Sequence, residues 1–182
     1  KKKEEREYEF LFFYADLPEA ESIRKVQGEK RYIKIKEDFI TAVNSLVKQV
    51  DGRVWMINGP SVLALLPPAN ADRAFLLIIE TLLGRSLFVY EKLGLISPTA
   101  LSFAFHCGKS LWQQPGKTGH IISEDVNFIH HLGHKYAGKN LIYVSDSAYD
   151  LINGPGRHFL KQKGNFENHT IYCSKKFGSS SF

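Results

Sequence analysis

The sequence predicts an α+β domain: a mixed, mostly antiparallel sheet with helices packed on one face of it. Two observations predict this. Short apolar runs come in pairs separated by turn chemistry, at Asn58–Gly59–Pro60 and again over residues 164–168, as β-hairpins require. Between other runs lie stretches with helical spacing of apolar residues, chiefly residues 22–50 and 74–83, which serve as crossovers. A chain of 182 residues, 43% hydrophobic and 13% aromatic, suits one compact domain with a substantial core.

Residues 1–7 (KKKEERE) read as a charged linker from an upstream region. Residues 8–17 (YEFLFFYADL) form a nearly unbroken apolar run that carries an acid, Asp16, at its end, the pattern of a buried central strand. Pro18 can begin a helix, where its missing N–H is not needed. Residues 22–50 are helical in two segments around Gly28, with Ile33, Phe39, Ile40, Val43, Leu46, Val47 and Val50 at mostly helical spacing. Asp51–Gly52 closes them. Residues 53–57 and 61–66 are the strands of the first hairpin, and Pro67–Pro68 ends the second of them. Asn70 or Asp72 caps a helix over 74–83, whose continuation to Leu93 stays open. Residues 101–106 alternate as a strand leading to Cys107–Gly108, and 113–119 are a polar Gly/Pro loop. Ser123 caps a helix over 124–134. A strand at 141–144, a short helix at 147–152, and strands at 158–160 and 169–173 complete the domain. Residues 174–182 read as a disordered tail.

The net charge is +5 and the pI about 9.1, an excess that a solvated surface explains at least as well as a nucleic-acid partner. Neither nucleic acid nor membrane contact is expected of the domain. Two cysteines, Cys107 and Cys173, make no disulfide framework, so a reducing, cytoplasmic compartment is expected. No apolar run approaches bilayer length. The chain does not start with Met and no signal peptide is visible, which reads as a fragment of a longer protein or a chain with residues missing from its start, leaving room for an anchor or sensor outside it. Gly116–Lys117–Thr118 is not a phosphate loop, because Leu111 stands where the pattern needs glycine. His130 and His134 are one turn apart, but nothing nearby supplies an obvious third metal ligand. Trp112 is either an exposed contact or a half-buried loop residue.

Several segments, in order, resemble the class III adenylate/guanylate cyclase catalytic domain. Residues 13–17 (FYADL) are similar to that family's opening FADI strand, and residues 51–54 (DGRV) to its glycine turn. Residues 57–66 (INGPSVLALL) are similar to its I-G-D hairpin, and 104–108 (AFHCG) to its GIHTG strand. Residues 124–132 (EDVNFIHHL) are similar to its G-D-x-V-N-x-A-x-R-L helix. The resemblance spans residues 8–173 and implies a ferredoxin-like cyclase fold and a dimer, since active sites in that family form between two domains.

Carried over residue by residue, the resemblance implies a damaged site. One of the two metal-binding aspartates matches Asp16, while the second falls at Pro60, which has no carboxylate. The base-selecting pair falls at Met56 and His120, so neither ATP nor GTP is specified. The transition-state pair falls at Asn127 and His131, and an imidazole lacks the arginine fork. Plain structural roles, a helix cap for Asp16 and a packing residue for Asn127, compete with these. No cofactor is required on this reading, and residual Mg²⁺ or Mn²⁺ binding rests on Asp16 alone. The expectation is a catalytically degenerate signalling module that pairs with itself or with another cyclase domain. An active or heterodimer-dependent cyclase, and a nucleotide binder without turnover, are the alternatives.

Overall fold

The computed structural model describes residues 7–97, 99–111 and 123–177. Its centre is β1 (Glu7–Asp16), whose last six residues are all buried. It lies between β3 (Ser61–Leu66) and β4 (Ser102–Leu111), antiparallel to both. β2 (Arg53–Asn58) pairs with β3 across the Asn58–Gly59 turn, where Gly59 takes φ +57°, the left-handed conformation that glycine adopts freely. β5 (Ile142–Ser145) runs parallel to β4, and β7 (His169–Ser174) and β6 (Leu160–Phe166) complete the order β2-β3-β1-β4-β5-β7-β6.

The helices are α1 (Ala20–Gln27), α2 (Glu29–Lys48), α3 (Ala71–Leu83), α4 (Arg85–Leu93), α5 (Glu124–His131) and α6 (Asp146–Tyr149). Gly28, at φ +86°, separates α1 from α2, as the sequence predicts. Gly84 likewise divides α3 from α4, so the helix capped after residue 70 does not run through to Leu93. Neither predicted cap holds α3. Asn70 Nδ2 donates to the Val50 carbonyl and to Asp51, each at 3.0 Å, while Asp72 accepts the Gly154 N–H at 2.7 Å.

Strand parity builds two cores. Leu11, Phe13 and Ala15 face one way, with Val62, Ala64, Phe103, Phe105, Ile142 and Val144, under α2, α3, α4 and α6. Phe12 and Tyr14 face the other way, with Leu63, Leu65, Ala104 and Tyr143, under Val126, Phe128 and Ile129 of α5 and Leu132. The expectation of helices on one face only is therefore corrected, because α5 has its own apolar side and its own sheet face to cover. The helix predicted over 124–134 changes character after His131, with a π turn over Leu132–Tyr136. The chain stays packed past residue 173: Ser174 Oγ accepts the Ile142 N–H, and Phe177 is buried against Phe159.

Candidate functional site

Parity also decides which side chains meet at the end of β1. Asp16 falls on the α5 side with Tyr14, and Ser61 opens β3 on that same side. The three are chained together. The Tyr14 hydroxyl donates to Ser61 Oγ at 2.8 Å, and Ser61 donates to Asp16 Oδ1 at 3.1 Å. Asp16 is 8% exposed. Burial raises its carboxyl above the ordinary 3.8, against the lowering pull of the Ser61 hydroxyl, the Leu17 amide and His134. Burial also pushes the Tyr14 phenol up to about 12, and Ser61 opposes this only in part.

These residues form the floor of a cleft of about 740 Å³. One wall is Leu17, Pro18, Ala20 and Glu21 at the entry to α1, with Tyr32 of α2. A second wall is the β2–β3 hairpin from Met56 to Ser61, and a third is Asn127, His130, His131, His134 and Lys135. Asp16, Met56, Pro60, Asn127 and His131 thus share one cleft, although they come from three separate parts of the sequence. His120, Trp112 and the loop over 113–119 lie outside the described residues.

His131 is already occupied. Its Nδ1 lies 2.7 Å from Glu167 Oε1, at the tip of the β6–β7 hairpin, where Glu167 and Asn168 both have positive φ. His130 sits edge-on to Tyr14 with ring centroids 5.7 Å apart; burial, with His131 and His134 beside it, lowers its pKa, so it is neutral at pH 7.

The residues do not fit a two-ion centre. Asp16 is the one carboxylate at the floor of the cleft, with Oδ1 already bonded to Ser61, and Pro60 on the neighbouring hairpin carries none. Among the described residues no group of three or more His, Cys, Asp or Glu is placed to hold a metal ion.

A buried polar network holds the α5 wall. Ser123 caps α5 by accepting the Val126 N–H at 3.1 Å, as the sequence predicts. Asp125, in the first turn, accepts the Lys109 N–H at 2.8 Å and lies 2.7 Å from His106 Nε2. His106 Nδ1 is 2.8 Å from Ser145 Oγ. His106 is 1% exposed, and burial lowers its pKa against the raising effect of Asp125. The consistent assignment is a neutral ring that donates from Nε2 to Asp125 and accepts at Nδ1 from Ser145. Gly108 makes room for this, since a Cβ there would lie 2.6 Å from Asp125 Cβ and Oδ1.

Sequence reasoning found five of the cleft positions and missed Tyr14, Ser61, Lys135, Glu167 and the His106 network. Parity along 102–107 (SFAFHC) puts His106 on an inner face, which was a usable signal for the network. The Ser61 contact joins residues 45 apart, and no local pattern announces it.

No family model matches the sequence, and no curated protein sequence matches it. Solved structures do. The guanylate cyclase domain of RhGC from Catenaria anguillulae, solved in complex with GTP, superposes with a TM-score of 0.75 at 15% identity, covering 95% of this chain and 100% of that one. The adenylyl cyclase CyaB from P. aeruginosa gives 0.74 at 14%, covering 96% and 97%, and the guanylyl cyclase Cya2 gives 0.74 at 13%, covering 97% and 96%. The chain has the fold of class III adenylyl/guanylyl cyclase catalytic domains over nearly its whole length.

Proposed function

We propose that this domain is a catalytically degenerate member of the cyclase fold, acting in signalling through pairing with a second cyclase-fold domain rather than by making cyclic nucleotide. The observation that carries the reading is Pro60 beside Asp16. The floor of the cleft retains one carboxylate, tied to Ser61, and a proline where a second acid would be needed to neutralise a triphosphate through two ions. Two further features support it. Met56 offers no hydrogen bond to a purine edge, and His131 is engaged with Glu167. Among the described residues no helix is long and apolar enough to cross a membrane.

The test is direct. The purified chain is incubated with ATP or GTP and Mg²⁺ or Mn²⁺, and cyclic nucleotide is sought by mass spectrometry. Its oligomeric state is read by light scattering, alone and with another cyclase domain. No product, with self-association or capture of that domain, is expected. Product that disappears in Asp16→Ala would refute the reading.

A further inference from the structure

We propose that the cleft binds an organic cation, a protonated amine carried on an apolar body, with its ammonium against Asp16. This rests on the reading above that the cleft holds no metal pair. Asp16 sits at the floor of a cleft of about 740 Å³, a volume typical of small-molecule sites. It is 8% exposed and hydrogen-bonded by neutral groups, the Ser61 hydroxyl and the Leu17 amide, and among the described residues no Lys or Arg pairs with it. A buried carboxylate needs a counter-charge, and a hydroxyl does not supply one.

The remaining lining says which kind of cation fits. The wall beside Asp16 is apolar, formed by Leu17, Pro18, Met56 and Pro60, which suits a hydrocarbon or aromatic body rather than a hydrated metal ion. Glu21, the other acid of the lining, is paired with Arg24 at 3.4 Å. Lys135 is the single Lys or Arg among the lining residues, and His131 is held by Glu167. Asp16 is therefore the lining acid left without a fixed counter-charge: an anion would be repelled by it, while an ammonium on Asp16 neutralises it.

The experiment uses the full chain at neutral pH with 2-phenylethylamine, the uncharged 2-phenylethanol, the anionic 3-phenylpropionate, Mg²⁺, and Mg·ATP. Binding is read by thermal shift and by ligand-observed NMR, in the native protein and in Asp16→Asn. A charge-assisted hydrogen bond contributes about 1.5–3 kcal/mol, so the amine is expected to bind about 10- to 100-fold more tightly than the alcohol. Asp16→Asn should erase that preference. Asparagine keeps the shape of the side chain and removes the buried charge, so the variant is expected to fold, and its melting curve checks this. Equal binding of amine and alcohol, an amine preference that survives Asp16→Asn, tighter binding of the carboxylate, or no amine binding at millimolar concentration each overturns the proposal. Conversion of Mg·ATP to product would instead overturn the underlying reading of the cleft, so the two failures are distinguishable.

Discussion

Gly133 lies in the π turn after α5 with no room for a side chain, because a Cβ there would come within 2.5 Å of Tyr14 Cγ and closer still to Cδ1 and Cε1. Tyr14 cannot step aside: it is 1% exposed and its hydroxyl is fixed on Ser61. Gly133→Ala therefore overpacks a closed site, at a cost of about 1–3 kcal/mol. Shifting the ring also endangers the Tyr14–Ser61 bond, worth about 1 kcal/mol. Helix propensity runs the other way, favouring Ala over Gly by about 1 kcal/mol. The balance is a loss of about 1–3 kcal/mol, which lowers Tm by about 2–12 °C for a domain of this size. Urea and thermal unfolding followed by circular dichroism measure it. A double-mutant cycle with Tyr14→Leu should show coupling of about 1–2 kcal/mol, because the smaller side chain relieves the clash. A variant as stable as the native protein, or more stable, would mean that propensity outweighs packing and that the close approach of the π turn to β1 is wrong. Equal cost in both backgrounds would mean that Tyr14 is not what the new methyl meets.

Three further outcomes follow from the same geometry. Asp16→Asn should raise Tm at neutral pH: between 3.8 and its raised native value the folded state holds more proton than the unfolded chain, so stability falls as pH rises and remains reduced above that window; a lower Tm for the variant would refute this. His106, with its pKa lowered from 6.5, makes the native state hold fewer protons than the unfolded chain, so stability should fall as pH drops below about 6.5, and His106→Asn, though less stable at pH 8, should show a flatter acid limb in Tm against pH. Asp125, Asp146 and His169 face the same ring and are kept intact in that comparison. His131→Ala should cost less than about 1 kcal/mol in urea unfolding, since its pair with Glu167 is exposed on both sides.

The strands and helices were legible because their apolar spacing is local. The hairpin at Asn58–Gly59, the break at Gly28 and the Ser123 cap are all written in adjacent residues, and the structure has each of them. The second core was not legible, because the apolar positions of α5 say that it covers something without saying which face. The caps of α3 failed for a related reason: Asn70 and Asp72 found tertiary partners at residues 50, 51 and 154 instead of the nearby amides. In the cleft, the resemblance located Asp16, Met56, Pro60, Asn127 and His131 by order along the chain. It said nothing of what each now touches. Ser61 on Asp16 and Glu167 on His131 are contacts across 45 and 36 residues, and only the folded chain brings them together.

The position of β1 also bears on how the polypeptide reaches this state. Within this domain β1 is made before both of its neighbours, β3 and β4, and lies inside the sheet, and it is strongly apolar. Leu11 waits for Leu66 on one side, and Phe13 for Phe105 on the other. Until then the segment FLFFYA has an open edge on each side and nothing to cover either face. Long-range pairing of this kind closes slowly, and the waiting strand is exposed to sticking to its copies. Yield on refolding from denaturant should therefore fall steeply as protein concentration rises, however stable the finished domain is.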